Sequence, residues 1–359
     1  MTTHSSSIRH VAIALPAKDE EGCLPACLTA LDAAAAFYGG PVTVVVLANN
    51  CTDGTVGTLR AARLRHARLD WRAVSLLPGA RHAGWARRLA FDAAADLLVQ
   101  PGDILASTDA DTCVAPDWIV RMLAHCDAGA DAVAGRALTR RADRASLGKR
   151  AAGRLNMLGR YYTALDWLRA DMTPEAHDPW PRHFYEGGAS IALTLDLYRR
   201  IGGAPTPSLA EDRALFAAVR AAGGQVRHPL DVRVFTSSRL EGRAPGGMAD
   251  AFARWIAQDE GEPLHETYAF PAALDPENAV PADQLSFRTL PTAVATAGAT
   301  IRARRSRAAP QVQPIAIPPL LRDDLDRPVQ QVSECGDGVV PGLGIVGLPR
   351  PVDQQQVAA

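Results

Sequence analysis

The chain has 359 residues, 47% of them hydrophobic, and a formal net charge of −1. That is enough apolar material to fill one large or two ordinary domains, and interspersed acidic and basic residues give no footing for bulk nucleic-acid binding. The N-terminal MTTHSSSIRH lacks the apolar centre of a leader peptide, and no apolar run reaches the roughly 18 to 20 residues that span a bilayer, so a soluble, cytoplasmic protein without a transmembrane segment is expected. Cysteines 23, 27, 51, 113, 126 and 335 include no Cys-x-x-Cys pair and read as reduced thiols.

In chain order, HVAIALPA reads as an apolar strand and EEGCLPACLTALDAAAAFY as a helix. PVTVVVLANN is a β-branched strand closed by a turn, followed by the helical TVGTLRAARLRHA. WRAVSLL and GWARRLAFDAAADLLV repeat the unit, and DILAST supplies a fourth strand. Continuous apolar strands alternating with amphipathic helices predict a mostly parallel sheet covered on both faces, with ligands beyond the carboxyl ends of the strands. Four polar loops meet at that rim: PAKDEE, ANNCTDGT, PGARHAG and the TDADT after the fourth strand.

Further on, DAVAGRA reads as a strand, residues 145–170 as one or two helices rich in arginine and aromatic residues, and ASIALT and VRVFT as later strands flanking a helix that starts near Glu211. Beyond about residue 262 the pattern weakens. A domain over 1–262 and a Pro, Gln and Gly-rich, partly disordered extension over 263–359 are expected.

Asp109 and Asp111 close the fourth strand. Two carboxylates about 5 Å apart repel by roughly 1 to 3 kcal/mol at effective dielectrics between water and a protein surface, so a shared proton, an arginine or a divalent cation must answer them. Hard oxygen ligands on a solvent-facing rim suit magnesium or manganese, which also bind phosphate oxygens. A turn-capping Asp109 and a helix-capping Asp111 are the plainer alternative.

Four elements in order, ALPAKDEE, NNCTDGT, STDADT and AEDRALFAAVRAAGG, resemble family 2 of the inverting nucleotide-sugar glycosyltransferases, over about Val11 to Arg243. The resemblance implies an α/β GT-A fold, a Rossmann-like mixed, mostly parallel sheet flanked by helices. It also implies a nucleotide-diphosphate-sugar donor, an acceptor hydroxyl and Mn2+ or Mg2+. It places the nucleotide on Pro16, Ala17, Glu20, Asn50 and Asp53, and Arg87 near the base and phosphates. Where many members read Asp-Asp-Gly-Ser, residues 48–51 here are Ala-Asn-Asn-Cys, so an acidic base contact is missing.

By the same resemblance Asp109 and Asp111 hold the metal and, through it, the diphosphate. Asp212 is the general base, supported by Glu211, and Gly187 and Gly188 lie near the donor sugar. An inverting transfer needs a carboxylate to take the acceptor's proton, typically worth 10²- to 10⁴-fold; a plain pair of first-turn acids on a helix is the simpler reading. Arg239, in the glycine-bearing SSRLEGRAPGG, is expected to counter the diphosphate from a closing loop, whereas His228 is not expected to be a metal ligand.

Other readings compete. The Asp-x-Asp of haloacid-dehalogenase-like phosphatases normally ends the first strand and needs a downstream lysine, for which only Lys149 is available. A nucleotidyltransferase on a similar scaffold would use the same metal aspartates, and a non-catalytic nucleotide-sugar-binding protein would fit the altered 48–51 loop. The acceptor, whether carbohydrate, lipid-linked or small molecule, is not legible.

Overall fold

The structure, a computed structural model, describes residues 8–243, 247–264, 284–307 and 356–357. The chain opens with β1 (Val11–Ala17), α1 (Leu24–Tyr38), β2 (Val42–Asn49), α2 (Thr55–Ala61) and β3 (Arg68–Leu76). It continues through α3 (Ala83–Ala95), β4 (Ile104–Ser107), β5 (Thr112–Val114), α4 (Trp118–Asp127), β6 (Ala132–Ala134) and β7 (Arg136–Thr139). Next come α5 (Arg141–Ser146), α6 (Lys149–Met172), β8 (Ile191–Thr194), α7 (Leu195–Arg200), α8 (Glu211–Ala221), β9 (Val226–Arg227) and β10 (Arg233–Thr236). The helices α9 (Met248–Ala257) and α10 (Leu290–Arg307) follow.

One sheet runs β3-β2-β1-β4-β8-β6-β9, and Gln356–Val357 pairs with the outer edge of β3. The first four strands are parallel; β8 is antiparallel to both β4 and β6. The mixed sheet agrees with the expected fold class, and the reversal falls where the sequence offered only a short apolar run, ASIALT, with no sign of direction.

Alternation along β1 explains why its sequence is apolar without a break. Val11, Ile13, Leu15 and Ala17 join the core beneath α1 and α4, while Ala12 and Ala14 join the core on the other face with Phe91 of α3 and Phe216 of α8. Helix α1 has Pro25 in its first turn, where the missing N–H costs nothing, and stops at Gly39, whose φ of 71° suits a residue without a Cβ.

Three elements depart from the sequence reading. The expected strand DAVAGRA is split at Gly135: a Cβ there would sit 2.0 Å from Ser190 Oγ, and β7 leaves the main sheet to pair with β10. The helix expected over 55–67 ends at Ala61, and Asp32 of α1 accepts hydrogen bonds from the N–H groups of Arg65, His66 and Ala67, holding them as an approach to β3. A small sheet β5-β10-β7 was not foreseen, because three-residue strands leave no period to read.

A third core joins Leu158, Tyr161 and Leu165 of α6 to Trp255 of α9 and to Leu290, Ala293 and Ala297 of α10. Part of the segment after residue 262 thus packs against α6. Most of the remaining extension lies outside the described residues.

Leu15 is fully buried in the first core, so Leu15→Ala is expected to lower unfolding free energy by about 2–5 kcal/mol. Leu77→Ala, at a residue 45% exposed, should change it by about 0.5 kcal/mol or less. Paired denaturant titrations measure both, and equal effects would contradict this core assignment.

Candidate active site

The carboxyl ends of β1, β2 and β4 and the N-terminus of α8 converge on one rim. Arg87 of α3 is its hub. Its Nη2 donates to Asp109 Oδ1 at 2.9 Å and its Nε to Glu211 Oε1 at 3.1 Å; its Nη1 donates to Ser107 Oγ at 3.0 Å and to the Gly188 carbonyl at 3.1 Å. The side chain is only 7% exposed. Burial works against the charge, but Asp109 and Glu211 outweigh it and raise the guanidinium's pKa.

Asp212 follows Glu211 in the first turn of α8. Its Oδ2 accepts from the Gly188 N–H at 2.9 Å and its Oδ1 from the Arg213 N–H at 2.8 Å. Burial, then the neighbouring Glu211 charge, pushes its pKa up, which makes it a better proton acceptor than a solvated aspartate. Gly188 is a packing requirement, since a Cβ would lie 2.0 Å from Arg87 Nη2. At Gly187 a Cβ would instead meet the Tyr185 ring.

Asp111 lies on the other side of Asp109. Arg239 Nη2 is 2.9 Å from Asp111 Oδ2, and the same guanidinium forks onto Glu20 at 2.6 and 2.8 Å. Burial, and next the charge of Asp109, push Asp111 up to about 6, with Arg239 pulling back. Two arginines therefore answer the pair, one aspartate each, and the carboxyl group of Asp111 still carries an electrostatic penalty. A hard divalent cation would relieve that penalty, so the donor set fits one.

Beside Arg239 opens a cleft of about 500 Å³ lined by Asp19, Glu20, Glu21, Thr52, Asp53 and Arg243 among others. Asp53 accepts from the Thr55 N–H and hydroxyl and from the Glu21 N–H, bracing the two loops that wall this cleft. Pro16 and Ala17 end β1, and the Ala17 carbonyl accepts from Asn49 Nδ2 at 3.0 Å. Asn50 is tied to the end of β3: its amide donates to the Leu76 carbonyl and accepts from the Leu76 N–H, both at 3.2 Å.

The sequence reading did not single out Ser107, which is fully buried and indistinguishable from any strand-end serine. Asp19, Asn50 and Ala210 are the non-glycine residues with positive φ among the described residues, at 53°, 49° and 59°, and all stand on this rim. Such a conformation costs of order 1 to 3 kcal/mol and collects where function constrains the backbone. Asp19, Cys51 and Asp53 also bring ligand atoms within 4.8 Å of one another, a second acidic grouping on the cleft wall. His228 has both ring nitrogens engaged, Nδ1 with Asp178 at 2.8 Å and Nε2 with Glu186 at 3.1 Å, so it offers no free nitrogen to a metal. Arg88 turns away from the rim, donating to Asp92 and to the Ala204 carbonyl.

The five cysteines among the described residues are free thiols, and no described helix is long and apolar enough to cross a membrane.

The site thus combines a mixed sheet that carries acidic residues at its central strand ends with an acid-led helix. Residues 12–178 match the model of glycosyl transferase family 2. No curated protein matches the chain significantly in sequence.

Among solved structures, the chain is similar to glucosyl-3-phosphoglycerate synthase from Mycobacterium tuberculosis in complex with Mn2+, UDP and glucosyl-3-phosphoglycerate, at 18% identity and a TM-score of 0.41 over 71% of this chain and 83% of that one. It is similar also to the mannosyltransferase PcManGT from Pyrobaculum calidifontis in complex with GDP-Man and Mn2+, at 20% identity and a TM-score of 0.43 over 84% and 76%. The third is S. aureus TarS 1-349, at 13% and 0.41 over 83% and 73%.

The network behind the rim yields a pH prediction. Asp178 is 1% exposed and bound to His228 and Arg182; burial opposes its charge, but the His228 and Arg182 hydrogen bonds prevail and hold it down to about 2. A folded pKa below the unfolded one gives stability that is present above about pH 4 and lost as pH falls through about 2. Asp178→Asn is expected to cost about 3–5 kcal/mol at neutral pH, with the deficit closing across that acid window. Urea titrations of both proteins from neutral to acid pH test this; a deficit independent of pH contradicts it.

Proposed function

We propose that the chain is a metal-dependent, inverting glycosyltransferase that moves a sugar from a nucleotide-diphosphate sugar to an acceptor hydroxyl. The observation that carries this reading is that one buried guanidinium, Arg87, holds both Asp109 and Glu211, so the acids after β4 and those opening α8 belong to one constellation.

In this reading the cleft between the loops after β1 and β2 takes the nucleoside, with Glu20 and Asp53 on its wall and Pro16 and Ala17 at its floor. Asn50, braced by its two bonds to Leu76, stands on that wall. Asp109 and Asp111 are the residues to hold Mn2+ or Mg2+, which when bound supplies positive charge for the leaving diphosphate. Arg239 exchanges its present grip on Glu20 and Asp111 for the diphosphate oxygens. Arg87 sets the positions of Asp109 and Glu211. Gly188 fixes the carboxylate of Asp212 through its N–H, and Gly187 keeps the backbone low beside the sugar.

Asp212 then accepts the proton of the acceptor hydroxyl as its oxygen bonds to the anomeric carbon. The bond from that carbon to the diphosphate breaks, and the nucleoside diphosphate leaves with the electron pair. Attack opposite the leaving group inverts the configuration.

Asp212→Asn keeps the size and hydrogen-bonding reach of the side chain but removes its basicity. It is expected to retain nucleoside diphosphate binding and to lose about 10²- to 10⁴-fold in turnover. Nucleoside diphosphate release from a panel of nucleotide sugars with manganese measures this. Pyrophosphate release from a nucleoside triphosphate, with no diphosphate released from any sugar donor, would instead mark a nucleotidyltransferase.

A further inference from the structure

In the small sheet β5-β10-β7, two arginines lack a counter-charge among the described residues. Arg136 opens β7 and Arg233 opens β10, and the parallel register sets them directly side by side. Their neighbours Ala137 and Val234 belong to the first core, so by strand alternation the two arginines lie on the opposite face. Among the described residues neither guanidinium has a hydrogen bond or an ion pair, and Arg233 Nε is shielded from water without any acceptor. Burial, followed by the Arg233 charge, lowers the pKa of Arg136, so its charge is not simply solvated.

Among the described residues no carboxylate pairs with either arginine. Asp166 of α6 influences Arg136 but does not reach ion-pair distance, and burial pushes it up to about 7, leaving it only partly ionised at neutral pH. Glu186 is taken by Arg220 and His228, and Asp178 by Arg182 and His228. Guanidinium groups only donate, so the missing partner is an acceptor, and two parallel cationic forks match an oxyanion.

The location ties the pair to the proposed reaction. Gly135, which precedes Arg136, donates its N–H to the Ser190 carbonyl at 2.9 Å; Ser190 lies two residues after Gly188, whose N–H holds Asp212. The strand that carries Arg136 is therefore tied by one backbone bond to the segment whose Gly188 N–H holds Asp212.

We propose that Arg136 and Arg233 form an anchoring site for an oxyanion, a phosphate or a carboxylate, carried by the acceptor whose hydroxyl Asp212 deprotonates. The acceptor is thus an anionic hydroxy compound rather than a neutral sugar, an assignment that rests on the glycosyl-transfer reading above.

The test uses the full chain and reads anion binding independently of turnover. Thermal unfolding is followed with inorganic phosphate and, separately, with acetate, at ionic strength matched by chloride. Phosphate or acetate is expected to raise the melting temperature of the wild type and of Arg239→Gln. The Arg136→Gln/Arg233→Gln double variant is expected to bind the same anion about tenfold more weakly or worse, as loss of two charge-assisted contacts requires. Whichever of the two anions is preferred identifies the phosphate or carboxylate class.

Should the double variant fail to fold, phenylglyoxal labelling of the wild type supplies a second measurement: the effective anion is expected to slow modification of Arg136 and Arg233, mapped by mass spectrometry. A folded double variant that responds like the wild type, no response of the wild type to either anion, or unprotected Arg136 and Arg233 overturns the proposal. Unimpaired nucleoside diphosphate release by Asp212→Asn would sink the catalytic reading while leaving the anion site standing, so the two failures are separable.

Discussion

The four contacts of the Arg87 guanidinium are the constraint on which this rim depends. A buried positive charge is tolerable only where carboxylates and carbonyls surround it, and here they come from β4, from the segment leading into β8, from α8 and from the turn after β4. Removing Asp109 or Glu211 leaves the buried guanidinium short of counter-charge. The same contacts that satisfy Arg87 therefore fix the spacing between the Asp109 pair and the Asp212 helix, and Gly188 has no side chain because Arg87 occupies that space.

A second arginine does the corresponding work on the outer side. Arg239 is three-quarters buried and joins Glu20 to Asp111, closing the neighbouring cleft against the acid pair. It differs from Arg87 in standing on the segment after β10, between Ser238 and Leu240, rather than within a helix. The rim thus has an inner arginine held within a helix and an outer one held on a connecting segment. Behind both, the chain of Arg182, Asp178, His228, Glu186 and Arg220 stiffens the segment that carries Gly187 and Gly188.

Much of this was legible in the sequence because it lies on long periodic elements. The first four strands and the acidic ends of β4 and α8 follow from apolar runs and from motif order. What the sequence hid is short or non-local. Nothing in ARR distinguishes Arg87, which faces the site, from Arg88, which pins α3 to the loop before α8. Strands of three or four residues carry no period, so the small sheet that juxtaposes Arg136 with Arg233 could not be anticipated. The left-handed backbone of Asn50 and its two bonds to Leu76, which brace it against a strand 26 residues away, were likewise not legible.

The rim offers a divalent cation two acidic settings, the Asp109 and Asp111 pair and the Asp19, Cys51 and Asp53 grouping. The central claim, that the acids after β4 are the metal ligands, is tested most directly by titrating the full chain with manganese and following free Mn2+ by electron paramagnetic resonance. Without nucleotide, wild type and Asp53→Asn are predicted to bind one ion alike, while Asp111→Asn loses that binding. Loss of the ion in Asp53→Asn with retention in Asp111→Asn would contradict the account.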